Sequence, residues 1–461
     1  MYLETNLHDL DLLKSVTDSI TECGPISIKF CQWITPKLEL IYLEDNDILN
    51  ENKPDWLLYL EKYYEKCPTH DIHFTKEEYK RVFHRNIEDD YTIDKILGSG
   101  SIGQVYLVTN KLTQKQEVIK ILHPKVNEQV HFFRRMIQFL LWFPCIHNKC
   151  NELFPFDIYQ FIDQFEEQTN LLNEANHLLY FYEEYKNNDL IVIPRLYKIS
   201  PSILIMSYED GVSFGKSILN EYQKYKLIHL YHLFIRNNQI IKNYNHGDLH
   251  PGNWKIRVDN TNNNHKLVIY DYGYCWSISH TKFKRIVSQF VDTFEESNKE
   301  NSDKTLIKLC KLMYLIILYD GPDKETDYKI RIKEFLTVRL EDLQAWKLSP
   351  ISLLKTTIDF CIQESLLLDP ILVQCFIILI QSQKLLEKYG MQSTEKNVIS
   401  DYEVFRERYI NDLTFCKTYN IFKDYSNYIE QKLNDKQLKV DKLFDTINLD
   451  DSLKELALLP K

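Results

Sequence analysis

Apolar residues recur at three- and four-residue steps through residues 15–43 and 54–65, and again through 125–143 and 157–185. That period lays one apolar stripe along a helix, so all four segments are predicted helices, and Thr75 with Glu78 reads as the capping box of another. From Tyr91 the period changes. YTIDKIL, QVYLVT and QEVIKIL are short β-branched and aromatic runs between polar turns, the pattern of three antiparallel strands. ILIMSY predicts a further strand, and beyond Gly211 the pattern is helical apart from WKIRV and KLVIY. The Asn-rich DNTNNNHK between those two runs, residues 259–266, reads as a solvent-facing hairpin tip. The expected order is a helical extension over residues 1–89, a small strand-rich lobe over 90–210 and a larger helical lobe over 211–461, an α+β class.

Composition and charge narrow the function. A hydrophobic fraction of 44% with few Gly and Pro belongs to a globular chain. A net charge of −10, with no Lys/Arg stripe able to neutralise a row of phosphates, argues against nucleic acid as a partner. The ten cysteines lack the paired spacing of a zinc ribbon or a disulfide framework, and no secretory signal precedes them, so a reducing, intracellular setting is expected. Cys145 and Cys150 bracket His147, but beside an apolar helical run they read as buried thiols in preference to metal ligands. Glu4, Asp9 and Asp11 near the start are unlike a basic transit peptide. The apolar stretches around 139–144, 312–319 and 371–380 fall short of the roughly 20 residues that cross a bilayer. No transmembrane helix is expected, which leaves a cytoplasmic chain or one peripheral to a membrane.

The candidate chemistry begins in the turn between the first two strands: Leu97, Gly98, Ser99, Gly100, Ser101, Ile102, Gly103, Gln104 and Val105. Glycines allow backbone N–H groups to approach phosphate oxygens that a Cβ would obstruct. This G-x-G-x-x-G leads from strand to strand, as a kinase nucleotide loop does, whereas a dinucleotide loop opens a helix. A plain glycine-rich hairpin is the alternative. Lys120 lies on the next strand among apolar neighbours and needs an anion there, unless it is a surface lysine at a strand end. Glu174, on the long helix, is chosen as its partner over Glu166 and Glu167. In NHGDLHPGN, Asp248 and Asn253 keep the five-residue interval by which a kinase catalytic loop supplies a base and a metal-binding amide. Eighteen residues on, Asp271-Tyr272-Gly273 stands where the second metal-binding carboxylate belongs. The segment from Met206 through Tyr208 to Gly211 is placed against adenine. ATP and Mg²⁺ are the cofactors these motifs predict.

GSGSIGQVY, VIKILHPKV, NEANHL, LIMSYEDGV, HGDLHPGNW and VIYDYG resemble segments of the UbiB family of aarF-domain atypical kinases, from about Gly24 through the Asp-Tyr-Gly motif. FIILIQSQKLLEKYG extends the likeness more weakly. Upstream, GPISIKFCQW resembles the family's Lys-x-Gly-Gln segment, which nominates Lys29 and Gln32 as regulatory residues packed over the site to restrict protein substrates. The resemblance implies a protein-kinase-like two-lobed fold and ATP-dependent phosphoryl transfer or ATP hydrolysis. Asp248 would be the base, Lys120 and Glu174 would position phosphates, and Asn253 with Asp271 would hold Mg²⁺. It further implies a lipid or small-molecule acceptor, isoprenoid in type, and contact with a membrane surface. Several positions depart from the family. Cys31 replaces a Gly, the nucleotide loop keeps full glycines where the family is Ala-rich, Gln168-Thr169-Asn170 replaces Glu-x-Asp, and Val118 replaces a small Ala. No Ala-Pro-Glu follows the Asp-Tyr-Gly, so a peptide-docking platform is not expected. Two alternatives stand: a choline- or aminoglycoside-type kinase, which carries a similar loop but not the KFCQW segment, and a nucleotide-binding pseudokinase scaffold, suggested by the amides at 168 and 170.

Overall fold

The computed structural model describes residues 24–43, 48, 53–61, 67–258, 265–279, 282–283, 286, 302–318, 325–339 and 350–388. Its first helix, α1 (Pro25–Tyr42), starts on a proline whose missing N–H would find no partner at that position in any case. The earlier part of that predicted helix, 15–23, lies outside the described residues, as does 62–66 beyond α2 (Asp55–Glu61). α3 (Ile72–Phe83) begins a turn before the predicted capping box. Asp71 is its N-cap and accepts a hydrogen bond from the His73 amide at 2.7 Å. A carboxylate at that position satisfies an orphan helix N–H, which leaves Thr75 inside the helix, fully buried, and Glu78 bonded to Arg81. The short α4 (Ile87–Asp90) then leads into the sheet.

The sheet has five strands where the pattern suggested three in sequence and one apart. β1 (Tyr91–Ser99), β2 (Gly103–Asn110) and β3 (Gln116–Leu122) form an antiparallel meander. Four helices intervene: α5 (Val126–Leu141), α6 (Pro144–Leu153), α7 (Ile158–Gln168) and α8 (Leu171–Tyr185). After the two-residue β4 (Ile191–Val192), β5 (Leu196–Ile199) and β6 (Ile203–Ser207) complete the order β1-β2-β3-β6-β5. β3 is therefore the central strand, which is why its residues from Glu117 to Leu122 are all buried. The single helix expected over 157–185 is broken at Thr169-Asn170. The Thr169 hydroxyl donates back to the Glu166 carbonyl, and the Asn170 side chain accepts from the Leu172 amide, so local bonds compete with the helix and win. Glu174 thereby falls in the first turn of α8.

The larger lobe runs through α9 (Glu221–Arg236), which ends in a π-helical turn over Asn237–Lys242. Four short strands follow: β7 (Asn245–His246), β8 (Trp254–Arg257), β9 (Lys266–Ile269) and β10 (Cys275–Trp276). β8 and β9 pair antiparallel on either side of the Asn-rich segment, whose residues 259–264 lie outside the described ones. β7 pairs with β10, which brings the loop that carries Asp248 against the chain just after Asp-Tyr-Gly. α10 (Ser302–Ile316), α11 (Glu325–Val338), α12 (Pro350–Glu364) and α13 (Pro370–Lys388) complete the lobe, with the paired strands β11 (Ile317–Leu318) and β12 (Leu367–Leu368) between them. This is the α+β, two-lobed, protein-kinase-like arrangement anticipated above.

The extension shares the core of the body. Phe30 and Trp33 of α1 pack on Phe161 of α7 at ring-centroid distances of 5.4 and 5.2 Å. Among the described residues no helix is long and apolar enough to cross a membrane. Cys145 and Cys150 are exposed on α6, contrary to the buried thiols expected, because α6 has no buried residue. No group of three or more His, Cys, Asp or Glu suited to a metal occurs among the described residues.

Candidate active site

Strand register decides where Lys120 goes. On β3 it stands opposite Val105 of β2 and Leu204 of β6, so the ammonium leaves the sheet centre into the protein with no water to solvate it. It finds both Glu174 carboxylate oxygens, at 2.8 and 2.9 Å, and Asp271 Oδ1 at 3.1 Å. Burial works against the charge on Lys120, yet Asp271 and Glu174 outweigh it and raise its pKa. Burial pushes the Glu174 carboxyl up, and Lys120 only partly offsets that while Asp271 adds to it. The ammonium is thus the shared counter-charge of two acids from α8 and the Asp-Tyr-Gly segment.

The loop from His246 to Asn253 is fixed from several sides. Gly247 is required there, because a Cβ would strike the Tyr274 ring. The buried His246 donates through Nε2 to the Tyr270 carbonyl at 2.9 Å, and its Nδ1 accepts from the Asp248 amide at 3.3 Å. That arrangement needs a neutral ring, and burial lowers the pKa accordingly. His177 of α8 likewise donates to the Tyr272 carbonyl at 2.9 Å. Asn253 spends its amide N–H on the Asp248 carbonyl at 2.7 Å, which leaves its oxygen as the atom for a cation. Asp271 has φ +54°, uncommon for a residue with a Cβ, and its Oδ1 also accepts from the Gly273 amide. The two imidazoles were missed in the sequence. His246 is the second of the same nine residues that gave Asp248 and Asn253, so the signal was present.

Lys29 of α1 forms an ion pair with Asp248, Nζ to Oδ2 at 2.8 Å. Gln32, one turn on, lines a small cavity of about 70 Å³ with Lys29, Asp248 and Gln374. Burial alone would raise the Asp248 pKa, but the Lys29 ammonium, by its charge and its hydrogen bond, holds it far below the usual aspartate range. Cys31, where a glycine was expected, is buried within α1.

Gly98 to Gly103 turn between β1 and β2, with the Gly100 amide bonded to the Gly103 carbonyl at 2.9 Å. Gly103 is sterically obligatory, since a Cβ would lie 2.5 Å from the Ile121 carbonyl oxygen. Leu97 is exposed at the end of β1, Ser101 and Ile102 are buried, and Met206 pairs with Val118 across the sheet, with Tyr208 just beyond β6. The segment after Met206 is pinned by the Tyr270 hydroxyl, which donates to the Glu209 carbonyl at 2.7 Å. Two side chains of the loop face elsewhere. Ser99 donates to the Pro68 carbonyl, and Gln104 is wholly buried in a polar chain beneath the sheet.

That chain has one consistent direction of donation. The Gly100 carbonyl can only accept, so His123 carries its proton on Nε2, 2.9 Å away. His123 Nδ1 must then accept from His70 Nδ1 at 2.8 Å, and His70 Nε2 from the Thr75 hydroxyl at 2.8 Å. Thr75 accepts in turn from Tyr106, Tyr106 from Gln104 Nε2, and Gln104 Oε1 from the His70 amide. Two neutral histidines therefore brace the glycine turn, and a proton added at His123 Nδ1 would face an N–H. Burial, then the nearby His123, lowers the His70 pKa to about 4, against a small opposing pull from Asp71.

No three acids cluster as a ready metal cage among the described residues, so a magnesium ion here would rest on Asn253 and Asp271 oxygens with ligands from outside the chain. Asp248, Asp271 and Glu174 set three carboxylates against the two ammoniums of Lys29 and Lys120, an excess of negative charge beside two hard oxygen donors. The Asp271 side chain is 48% exposed, so a cation can reach it from solvent.

Two outcomes follow from these charges. Lys120→Met leaves the Glu174 side chain, 4% exposed, without its cation and should cost about 3–5 kcal/mol of stability, whereas Lys120→Met combined with Glu174→Gln should regain at least half. Denaturant unfolding measures both, and a double variant no more stable than the single would contradict the pairing. For His70 the folded pKa of about 4 lies below the ordinary 6.5, so the unfolded chain takes up the proton first as pH falls. Stability from this source is full above pH 6.5 and is lost as pH drops toward 4. Urea midpoints at pH 7 and 5 should fall further apart in the native chain than in His70→Gln, and equal falls would refute it.

The ABC1 atypical kinase-like domain model matches residues 64–305, just over half of the chain. The Dictyostelium discoideum protein named "Probable serine/threonine-protein kinase abkC" is 29% identical over 258 residues, 53% of this chain and 35% of that one. The "Probable protein kinase UbiB" of Shewanella piezotolerans is 25% identical over 254 residues, 53% of this chain and 44% of that one. The chain thus spans less than half the length of these two curated relatives. Among solved structures, the Rv3197–erythromycin complex from Mycobacterium tuberculosis aligns with 83% of this chain and 98% of that one, at 15% identity and a TM-score of 0.43. By the match over residues 64–305, the chain belongs to the ABC1 atypical kinase-like domain family.

Proposed function

We propose that the chain transfers the γ-phosphoryl group of ATP, with Mg²⁺, to a small-molecule or lipid acceptor or to water. One observation carries this reading: Glu174 and Asp271 meet at Lys120, although they lie 54 and 151 residues beyond it along the chain. In this reading Lys120 contacts phosphate oxygens, kept charged and aimed by Glu174. Backbone amides of Gly98 to Gly103 cover the phosphates, and Met206 and Tyr208 border the adenine. Asp248 accepts the proton of the attacking hydroxyl as its oxygen bonds to the γ-phosphorus and the bond to the β,γ-bridging oxygen breaks, releasing ADP. Held at a low pKa it is a weak base, so it orients the hydroxyl first and takes the proton late, as fits a loose phosphoryl-transfer transition state. A magnesium ion held by Asn253 and Asp271 would neutralise charge on the phosphate oxygens.

The acceptor reading draws on a cleft of about 670 Å³ between α1, α13 and the loop residues His250 to Gly252. Leu40, Ile48, Phe214, Trp254 and Ile380 give it apolar walls, and Glu39, bonded to Lys53 and Lys384 at 2.8 Å each, gives it a polar patch. Such a lining favours an acceptor with a long apolar part, of which an isoprenoid lipid is one kind. A second reading, a pseudokinase scaffold, is favoured by Lys29 on the Asp248 oxygen that would receive the proton, and by the amides Gln168 and Asn170.

Single-turnover assays with labelled ATP separate the two. Asp248→Ala and Asp271→Ala should each slow ATP consumption at least about 100-fold, while Lys29→Ala, which frees Asp248, should speed it. If neither aspartate variant alters consumption, the chain is a binder and the catalytic reading fails.

A further inference from the structure

A lysine buried with no acid beside it is uncommon, and α1 holds one. Lys37 is only 4% exposed and has no ion pair among the described residues. Its ammonium has three N–H groups, of which one donates to the Trp33 carbonyl, one turn back, at 3.0 Å. The Trp33 ring centroid lies 4.1 Å from the same nitrogen and that of Phe156 5.8 Å away. Those rings attract a cation through their π faces, but two buried donors and a charge still await a partner. Burial alone accordingly lowers the Lys37 pKa to about 7.

The space beside Lys37 limits what that partner is. Lys37 lines the cavity of about 70 Å³ that also reaches Lys29 and Asp248. A water needs roughly 10–15 Å³ of such space, so there is room for about five, or for one anion of about four heavy atoms. Lys29 and Asp248 already neutralise each other at 2.8 Å, so the wall carries one net positive charge, on Lys37. Gln32, Gln164, Gln168, Gln374 and Gln381 add neutral carboxamides, and Tyr274 keeps its proton because burial raises its pKa. Water would satisfy the donors and leave the charge unanswered. A phosphate group, at about −1.5 to −2 near pH 7, would overbalance one cation and face Asp248. A carboxylate has both the size and the charge that fit.

We propose that this cavity is a binding site for a small carboxylate, held by the Lys37 ammonium and flanked by the carboxamides of α7 and α13. Pro36, Ile377 and Gln381 also line the cleft of about 670 Å³, so the two spaces adjoin. An acceptor lying in that cleft would present an acidic end here, beside Asp248. That assignment to the acceptor rests on the phosphoryl-transfer reading, whereas the carboxylate site itself does not.

Urea unfolding of the full chain, without nucleotide and with ionic strength held constant by sodium chloride, tests the site. With no carboxylate added, Lys37→Met should raise the urea midpoint, since methionine fills much the same space and buries no charge. Sodium acetate should raise the native midpoint, further at each higher concentration, and leave that of Lys37→Met unmoved. The gap between the two proteins should narrow from pH 7 to pH 9. Over that range the folded amine has given up the proton that the unfolded one keeps until about pH 10.5, so native stability rises with pH. A Lys37→Met chain that unfolds at lower urea than the native one, or that responds to acetate as the native chain does, overturns the proposal. So does a native midpoint that acetate leaves unchanged, and one raised by sodium phosphate instead would make the cavity a phosphate site. No ATP is present, so a chain without transferase activity gives the same readings, and failure here is told apart from failure of phosphoryl transfer.

Discussion

A single buried ammonium organises this molecule. Lys120 is on the central strand of the sheet, where an unpaired charge would cost several kcal/mol, roughly what one charge of a broken buried pair costs. Its two partners come from helix α8 and from the turn after β9, so neither lobe can shift far without stranding a charge. The break before Leu171 matters for the same reason. Asn170 caps a new helix there, and that cap sets the direction from which Glu174 reaches the lysine. Packing supplies most of the stability, but this charge relation fixes how the sheet and the helical lobe face each other.

A second ion pair repeats the device at the mouth of the site. Lys29 and Asp248 are 219 residues apart and meet because Phe30 and Trp33 seat α1 on Phe161. The aromatic contacts are set by packing and the ion pair by charge, so α1 can respond to one without losing the other. A phosphate nearby would compete with Asp248 for Lys29, a metal ion would compete with Lys29 for Asp248, and the aromatic seat would keep the helix close by in either case. The chain therefore carries its own counter-ion for its candidate base. The neutral pair His70 and His123 does comparable work on the glycine turn, without any net charge.

How much of this was legible depended on distance along the chain. Asp248 and Asn253 share one loop, and Lys120 shows itself as a charge inside an apolar strand, so short-range pattern sufficed for them. Lys29 had no such local mark and entered only through the likeness of its segment to a known family. His70 and His123 lie 53 residues apart, and nothing in the order of residues says that they touch. Thr75 and Gln104 carried a helix-cap and a loop pattern respectively, yet both are drawn into that same polar chain, because a buried imidazole must be satisfied wherever it lies. The helix expected over 157–185 failed at Thr169-Asn170, where side-chain bonds to the backbone outcompete periodicity. The extra strands were obscured for another reason: β5 has only four residues, too few to express an alternation.

The most direct test is a crystal structure with Mg²⁺ and a nonhydrolysable ATP analogue. The account requires the triphosphate to lie between the Gly98–Gly103 turn and Lys120, with Asn253 and Asp271 oxygens on the same metal ion. A nucleotide bound elsewhere, or a metal that leaves Asn253 and Asp271 on opposite sides of an empty cleft, would contradict it.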